Sequence, residues 1–156
     1  MAAGFVVKSS TTATALVAAT AKTCCNVIPG ANRQCILCEI SNSFDGVTAS
    51  NVPVLVELVG STQAGAGTST AFTPYLIRGI GAATATGQTD YTAEPTVLTP
   101  FKHWLVTPNG GLLVIQSPLG REAQTNLSGS ATLLGIALRD NAPAVVNSRT
   151  YIEFEE

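Results

Sequence analysis

The sequence predicts an all-β protein, a two-layer β-sandwich or jelly roll of about eight short strands, on three observations. First, two short apolar runs, His103–Val106 and Leu112–Ile115, flank Thr107-Pro108-Asn109-Gly110-Gly111. Asn-Gly is the strongest short hairpin signal, because both central residues of the tight turn need positive φ, which Gly takes cheaply and Asn next best. Second, Arg33–Ser41, Pro53–Val59 and Val145–Phe154 alternate side chains with the period of two that a half-buried strand requires. Third, turn chemistry punctuates the chain at irregular intervals, and a list of short strands parted by turns packs naturally as two sheets.

From the start, Gly4–Lys8 and Thr14–Ala19 are runs of small and β-branched residues. They fit either an extended N-terminal arm, residues 1–32, or the first strands of the sandwich. Cys24–Ile28 is a further strand, stopped by Pro29-Gly30. In Arg33–Ser41, Ile36, Cys38 and Ile40 share one face, with Leu37, Glu39 and Ser41 on the other. Asn42–Asn51 reads as a loop around Asp45-Gly46. In Pro53–Val59, Val54, Val56 and Leu58 point inward and Glu57 outward; Pro53 suits a strand start.

Ser61–Thr70 is flexible by composition, and residues 71–100 show no clear period. A short helix at Pro74–Ile80 is the one element suggested there, with Thr73 as its cap. After the hairpin, Ser117–Ser130 is a polar loop and Ala131–Leu138 a buried strand. Val145–Phe154 closes the list, with Ile152 and Phe154 on one side and Tyr151, Glu153 and Glu155 on the other.

Composition bounds the function. At 156 residues the chain fits one domain, and only 12% of it is charged, about half the usual share. So few charges imply that much of the surface meets other protein, with twenty Thr supplying hydroxyls where charge is missing. A net charge of −2 and eight scattered Lys and Arg argue against nucleic acid, which needs a basic stripe. No apolar segment approaches the ~20 residues that span a bilayer. Residues 1–22 lack the charged start of a signal peptide, so the expectation is that they belong to the mature protein, made in a cytoplasm.

No constellation of catalytic residues stands out, and the expectation is a non-enzyme without cofactor, metal or small-molecule substrate. Cys24, Cys25, Cys35 and Cys38 lie within fifteen residues, and Cys35-Ile36-Leu37-Cys38 has the C-x-x-C form. In a strand, residues three apart point to opposite faces, so the pair would need a bend to chelate one ion. Buried structural cysteine is the favoured reading, with a disulfide or metal as the alternative. His103 is the single His, and no G-x-S-x-G accompanies it. Asp45, Asp90 and Asp140 fall in expected loops, where Asp serves turns. Gly79–Gly87 lacks the Gly-Lys-Ser/Thr ending of a phosphate loop. Glu153-Phe154-Glu155-Glu156 is a solvated strand end or, more sharply, an acidic tip for a basic partner. Tyr75, Arg78, His103 and Trp104 are the candidate interface residues, being the kinds that anchor contacts or lie on an exposed arm.

Together these pieces resemble a known group. Val52-Pro53-Val54-Leu55-Val56-Glu57-Leu58 is followed by a Gly/Thr loop into Thr73-Pro74-Tyr75-Leu76. Then come Thr92-Ala93-Glu94-Pro95-Thr96, the Trp104 strand, the Pro108-Asn109-Gly110-Gly111 turn, an apolar strand and a final Tyr151-Ile152-Glu153-Phe154-Glu155-Glu156. That order, over residues 33–156, is similar to small virion proteins of tailed bacteriophages, the capsid decoration or cement type. The resemblance implies a sandwich, usually homotrimeric, seated on the capsid exterior against the major capsid protein and holding the shell. Residues 1–32 lie outside the shared layout and would clasp a neighbouring subunit. The competing expectation is a phage tail or fibre module on the same fold that binds host glycan or another virion protein.

Overall fold

The computed structural model describes residues 2–9, 13–45, 51–61, 67–96, 98–125 and 135–156. Those residues form twelve strands and no helix. They are β1 (Gly4–Lys8), β2 (Thr14–Leu16), β3 (Ala21–Ile28), β4 (Ile36–Asp45), β5 (Val54–Ser61) and β6 (Thr68–Phe72). The second half supplies β7 (Tyr75–Arg78), β8 (Thr86–Ala93), β9 (Leu98–Val106), β10 (Leu112–Gln116), β11 (Gly135–Asn141) and β12 (Val146–Glu155). One sheet runs β10-β4-β12-β1-β7, with β2 also on β12; the other runs β6-β8-β3-β11-β5-β9. Every pairing between these strands is antiparallel. The fold is a two-sheet antiparallel β-sandwich.

β12 is the hub of the first sheet, and its sequence shows why. Over ten residues it buries Val146, Ser148, Thr150, Ile152 and Phe154 and turns the alternate residues outward. It pairs with β4 on one side and with β1 and β2 on the other. Phe5 of β1 meets Phe154 with ring centroids 5.8 Å apart. The second sheet answers with Val27, Val54, Val56, Leu58, Ile136 and Leu138, all buried. Burying a side chain of this size contributes about 1.5–3 kcal/mol, so the seam between the sheets holds most of the fold's hydrophobic stabilisation.

The described residues of 1–32 supply β1, β2 and β3, strands of both sheets. β1 lies between β12 and β7, β3 lies between β8 and β11, and Phe5, Val7, Leu16 and Val27 belong to the core. An arm extending away from the sandwich is therefore not what this segment forms.

Several local expectations change. The Asn109-Gly110 turn exists, but its arms are not a hairpin: β9 pairs with β5 and β10 with β4, in opposite sheets. Only Gly110 takes positive φ, at 73°, and Gly111 N donates to Thr107 O at 3.0 Å, so the turn is a corner between layers. Pro74–Ile80 is not helical; it holds β7, paired with β1. Residues 71–100, read as unpatterned, contribute part of β6, all of β7 and β8 and the start of β9. Asn42 lies within β4 rather than in a loop. In β4 a bulge opposite Glu153/Phe154 adds Cys38, so Leu37 and Ile40 both face the core while Ile36 and Cys38 are half-buried. The Ser117–Ser130 and Ala131–Leu138 expectations lie partly outside the described residues, at 126–134; within them, Gly135–Leu138 is strand.

Candidate interaction surfaces

β7 ends the first sheet and exposes all four of its residues. The register steps between Gly4 and Phe5 of β1, which leaves Ile77 as an extra residue on the outer strand. Tyr75, 56% exposed, lies beside Val6, and Ile80, just beyond the strand, is 93% exposed. Leu76 and Ile77 are also exposed, so four large apolar side chains follow one another along this edge. Its polar fastenings are few. Arg78 forms an ion pair with Glu155 across Gly4, which has no side chain to intervene. The Lys8 ammonium lies 5.8 Å from the Tyr75 ring centre, and the Phe72 ring meets Tyr75 edge-on at 5.2 Å.

β10 ends the same sheet on the other side. Its sequence, Leu-Leu-Val-Ile-Gln, carries no charge and no proline. Leu113 and Ile115 pack on the core while Leu112, 66% exposed, and Val114 face outward beside Ser43 and Ser41. Natural sheets blunt their edges with charge, proline or bulges, because an open edge invites pairing with another chain. β9, the edge of the second sheet, has those devices: Pro100, a register step that leaves Phe101 extra, and Lys102. β10 has neither of the first two residue types.

The four candidate interface residues divide between two edges. Tyr75 and Arg78 lie together on β7. His103 and Trp104 lie on β9, at the end of the other sheet. His103 is exposed, opposite Glu57, whereas Trp104 lies opposite buried Val56 and packs against the core. Leu105, beside Leu55, is 70% exposed, and Phe101 of the same strand 43%.

A buried polar cluster joins the layers. Asp140 lies in β11 rather than in a loop and is fully buried. Asn42 of β4 donates from Nδ2 to both its carboxylate oxygens at 2.8 and 2.9 Å. Ser148 of β12 and Cys24 of β3, the latter at 3.3 Å, donate to Oδ2. Burial pushes the Asp140 carboxyl above its ordinary range, against the pull of these donors. Period two was the signal for it: Ile136 and Leu138 face inward, and the next position in that series is 140. Asp90 is likewise within a strand, β8, at φ 51°, and Asp45 ends β4 and pairs with Arg149 at 2.6 Å.

The cysteines are free thiols. Cys24, Cys25 and Cys35 are buried and Cys38 is half-buried. Burial pushes the Cys25 and Cys35 thiols up to about 12. Among the described residues no group of three or more His, Cys, Asp or Glu is gathered as metal ligands. Within the chain the Glu156 carboxylate accepts from the amides of Thr84 and Ala85, at 2.5 and 3.0 Å.

No protein-family model and no curated protein matches the chain. Two solved structures do, both of infectious bursal disease virus. A crystal structure of the viral particle shares 16% identity, with 97% of this chain covered and a TM-score of 0.25. A structure of the Gx strain shares 12% identity, with 99% covered and a TM-score of 0.14. The chain spans about two-fifths of the length of each, 39%. The chain's class is the antiparallel β-sandwich.

Proposed function

We propose that this chain is a non-catalytic structural protein of a virion, a decoration or cement protein that binds the outside of a phage capsid and stabilises the shell. The observation that carries the reading is the β7 edge, where Tyr75, Leu76, Ile77 and Ile80 stand exposed in sequence on a chain only 12% charged. Water solvates such an edge poorly, and covering it with protein is the ordinary remedy. The order of sequence phrases over residues 33–156 points to the same group. In this reading the partners are the major capsid protein and further copies of the chain, as a homotrimer, with assembly in the bacterial host cytoplasm. Several modest contacts per trimer would secure it to a repeating lattice without any one strong contact.

The native mass of the purified protein, measured alone and after mixing with preformed shells of the same virus, tests this. A trimer that co-sediments with shells is expected. A monomer that stays in the supernatant overturns it.

A further inference from the structure

The outer face of the first sheet holds an open depression of about 240 Å³, lined by Lys8, Ser9, Ser41, Ser43, Arg149, Thr150 and Tyr151. All seven lining residues are polar, two are cations and none is a carboxylate. Strand register builds the arrangement: Lys8 of β1 lies opposite Tyr151 of β12, which lies opposite Ser41 of β4, and Arg149 lies opposite Ser43. Lys8 and Arg149 are therefore diagonal neighbours on the face, a spacing that long side chains can span; here the Lys8 ammonium lies toward Tyr75 of β7 and the Arg149 guanidinium toward Asp45 of β4.

No carboxylate lines the depression, although Arg149 is ion-paired with Asp45 beside it. Asp45 engages Arg149 through Nε at 2.6 Å, which leaves the other guanidinium N–H groups to donate elsewhere. Among the described residues Lys8 has an aromatic ring, not a carboxylate, as its charged-group partner. Asp45 is thus the acid in contact with the lining; Glu39 of β4 already accepts from Tyr151 OH at 2.5 Å and Gln116 Nε2 at 2.8 Å. The floor is fixed by the sheet: Ser9 N donates to Thr150 O at 2.8 Å, and Thr150 N donates to Ser9 Oγ at 3.1 Å, leaving the Ser9 hydroxyl hydrogen to turn outward.

We propose that this depression binds a tetrahedral oxyanion, phosphate or sulfate, free or as a monoester, between Lys8 and Arg149. Charge-assisted donors on both sides with serine hydroxyls beneath match the acceptor-only oxygens of such a group; the Thr150 and Tyr151 hydroxyls donate elsewhere, to Cys25 Sγ at 3.4 Å and to Glu39. The volume leaves room beside the anion for the body of an ester.

The test is a titration followed by amide chemical shifts, with inorganic phosphate, glycerol phosphate and, as the uncharged control, glycerol. Saturable shifts on β1, β4 and β12 are expected for both anions and none for glycerol. Tighter binding of the ester identifies a monoester site, and equal binding a site for the free anion. Lys8→Met keeps the apolar stem and is expected to weaken binding about tenfold, the loss of one hydrogen bond to a charged group. Arg149→Met is a second variant, and an unchanged amide spectrum elsewhere certifies each fold. Glycerol binding as well as its phosphate, no saturable shift with either anion, or an undiminished Lys8→Met titration overturns the proposal.

Discussion

Asn42 and Asp140 face each other across the interior of the sandwich, the amide of one 2.8 and 2.9 Å from the two carboxylate oxygens of the other. β4 belongs to one sheet and β11 to the other, so the contact ties the layers where hydrophobic packing alone has no preferred alignment. A buried amide–carboxyl pair works only in one registration. Removing the amide by Asn42→Ala leaves the carboxyl short of a donor in a dry site, which costs about 1.5–3 kcal/mol. Urea unfolding at neutral pH, with the m-value unchanged, is the measurement.

The same carboxyl makes stability depend on pH with a definite sign. Its folded-state pKa is raised by burial, so the folded protein holds a proton that the unfolded chain releases. Its favourable contribution is complete below the ordinary Asp range, near 3.8, and is lost as pH rises from there through the raised folded value. Asp140→Asn removes the ionisation. The unfolding free energy of the wild type minus that of Asp140→Asn should fall steadily as pH is raised from about 3.8 toward neutrality. A flat difference would show that the carboxyl titrates alike in both states.

How much of this was legible in the sequence depends on the range over which each signal acts. β12 and the Val54–Leu58 part of β5 were readable residue by residue, because their alternation matches the faces they bury; Val59, Gly60 and Ser61 are buried in succession and break the pattern. The Asn109-Gly110 turn was readable as a turn and misread as a hairpin. Turn chemistry reports local backbone conformation, and nothing in it says which sheet receives the next strand. β7 carries Pro74 before it and apolar residues without alternation, because at a sheet edge both faces are exposed and no pattern is imposed. The depression at Lys8 and Arg149 was invisible for a related reason: it assembles from three strands whose order, β4-β12-β1, is not the order of the chain.

The β7 edge should tolerate charge without cost to the fold. Ile80 is 93% exposed, and Ile77, on the register step, is 51% exposed and can keep its covered stem as Lys, so Ile77→Lys with Ile80→Lys removes little buried area. Surface substitutions of this kind change stability by roughly 0.5 kcal/mol or less. If the edge is covered by protein in the assembly, the double variant should keep its thermal midpoint and lose co-sedimentation with shells. Undiminished co-sedimentation would place the contact elsewhere, with β10 the next edge to substitute.

Gly111 should resist replacement although it does not have a positive φ. A Cβ there would stand 2.0 Å from the carbonyl oxygen of Thr107, the same oxygen that accepts the Gly111 amide. Backbone must move to make room, and that backbone is the corner passing the chain from one sheet to the other. Gly111→Ala is expected to destabilise by about 1–3 kcal/mol. Gly110→Ala, with open space around its Cβ but φ at 73°, isolates the cost of conformation from that of collision. By urea unfolding, the first variant should be the more damaged.

The cysteines provide a check on the core that needs no mutation. Thiolate is the reactive form, and burial of Cys24, Cys25 and Cys35 both hides the sulfur and opposes its ionisation. Cys38 stands apart because the β4 bulge turns it out of the inward series that Leu37 and Ile40 occupy. Its thiol is also raised, by partial burial, so it should react slowly rather than not at all. Native protein treated with a thiol-specific chromogenic disulfide at mildly alkaline pH should therefore release one equivalent, with four in denaturant. Mass mapping should place the native label on Cys38. Prompt labelling of Cys24 or Cys25 would mean that the seam between the sheets opens on the time scale of the reagent, and the Asn42–Asp140 contact would then be too weak to align the layers.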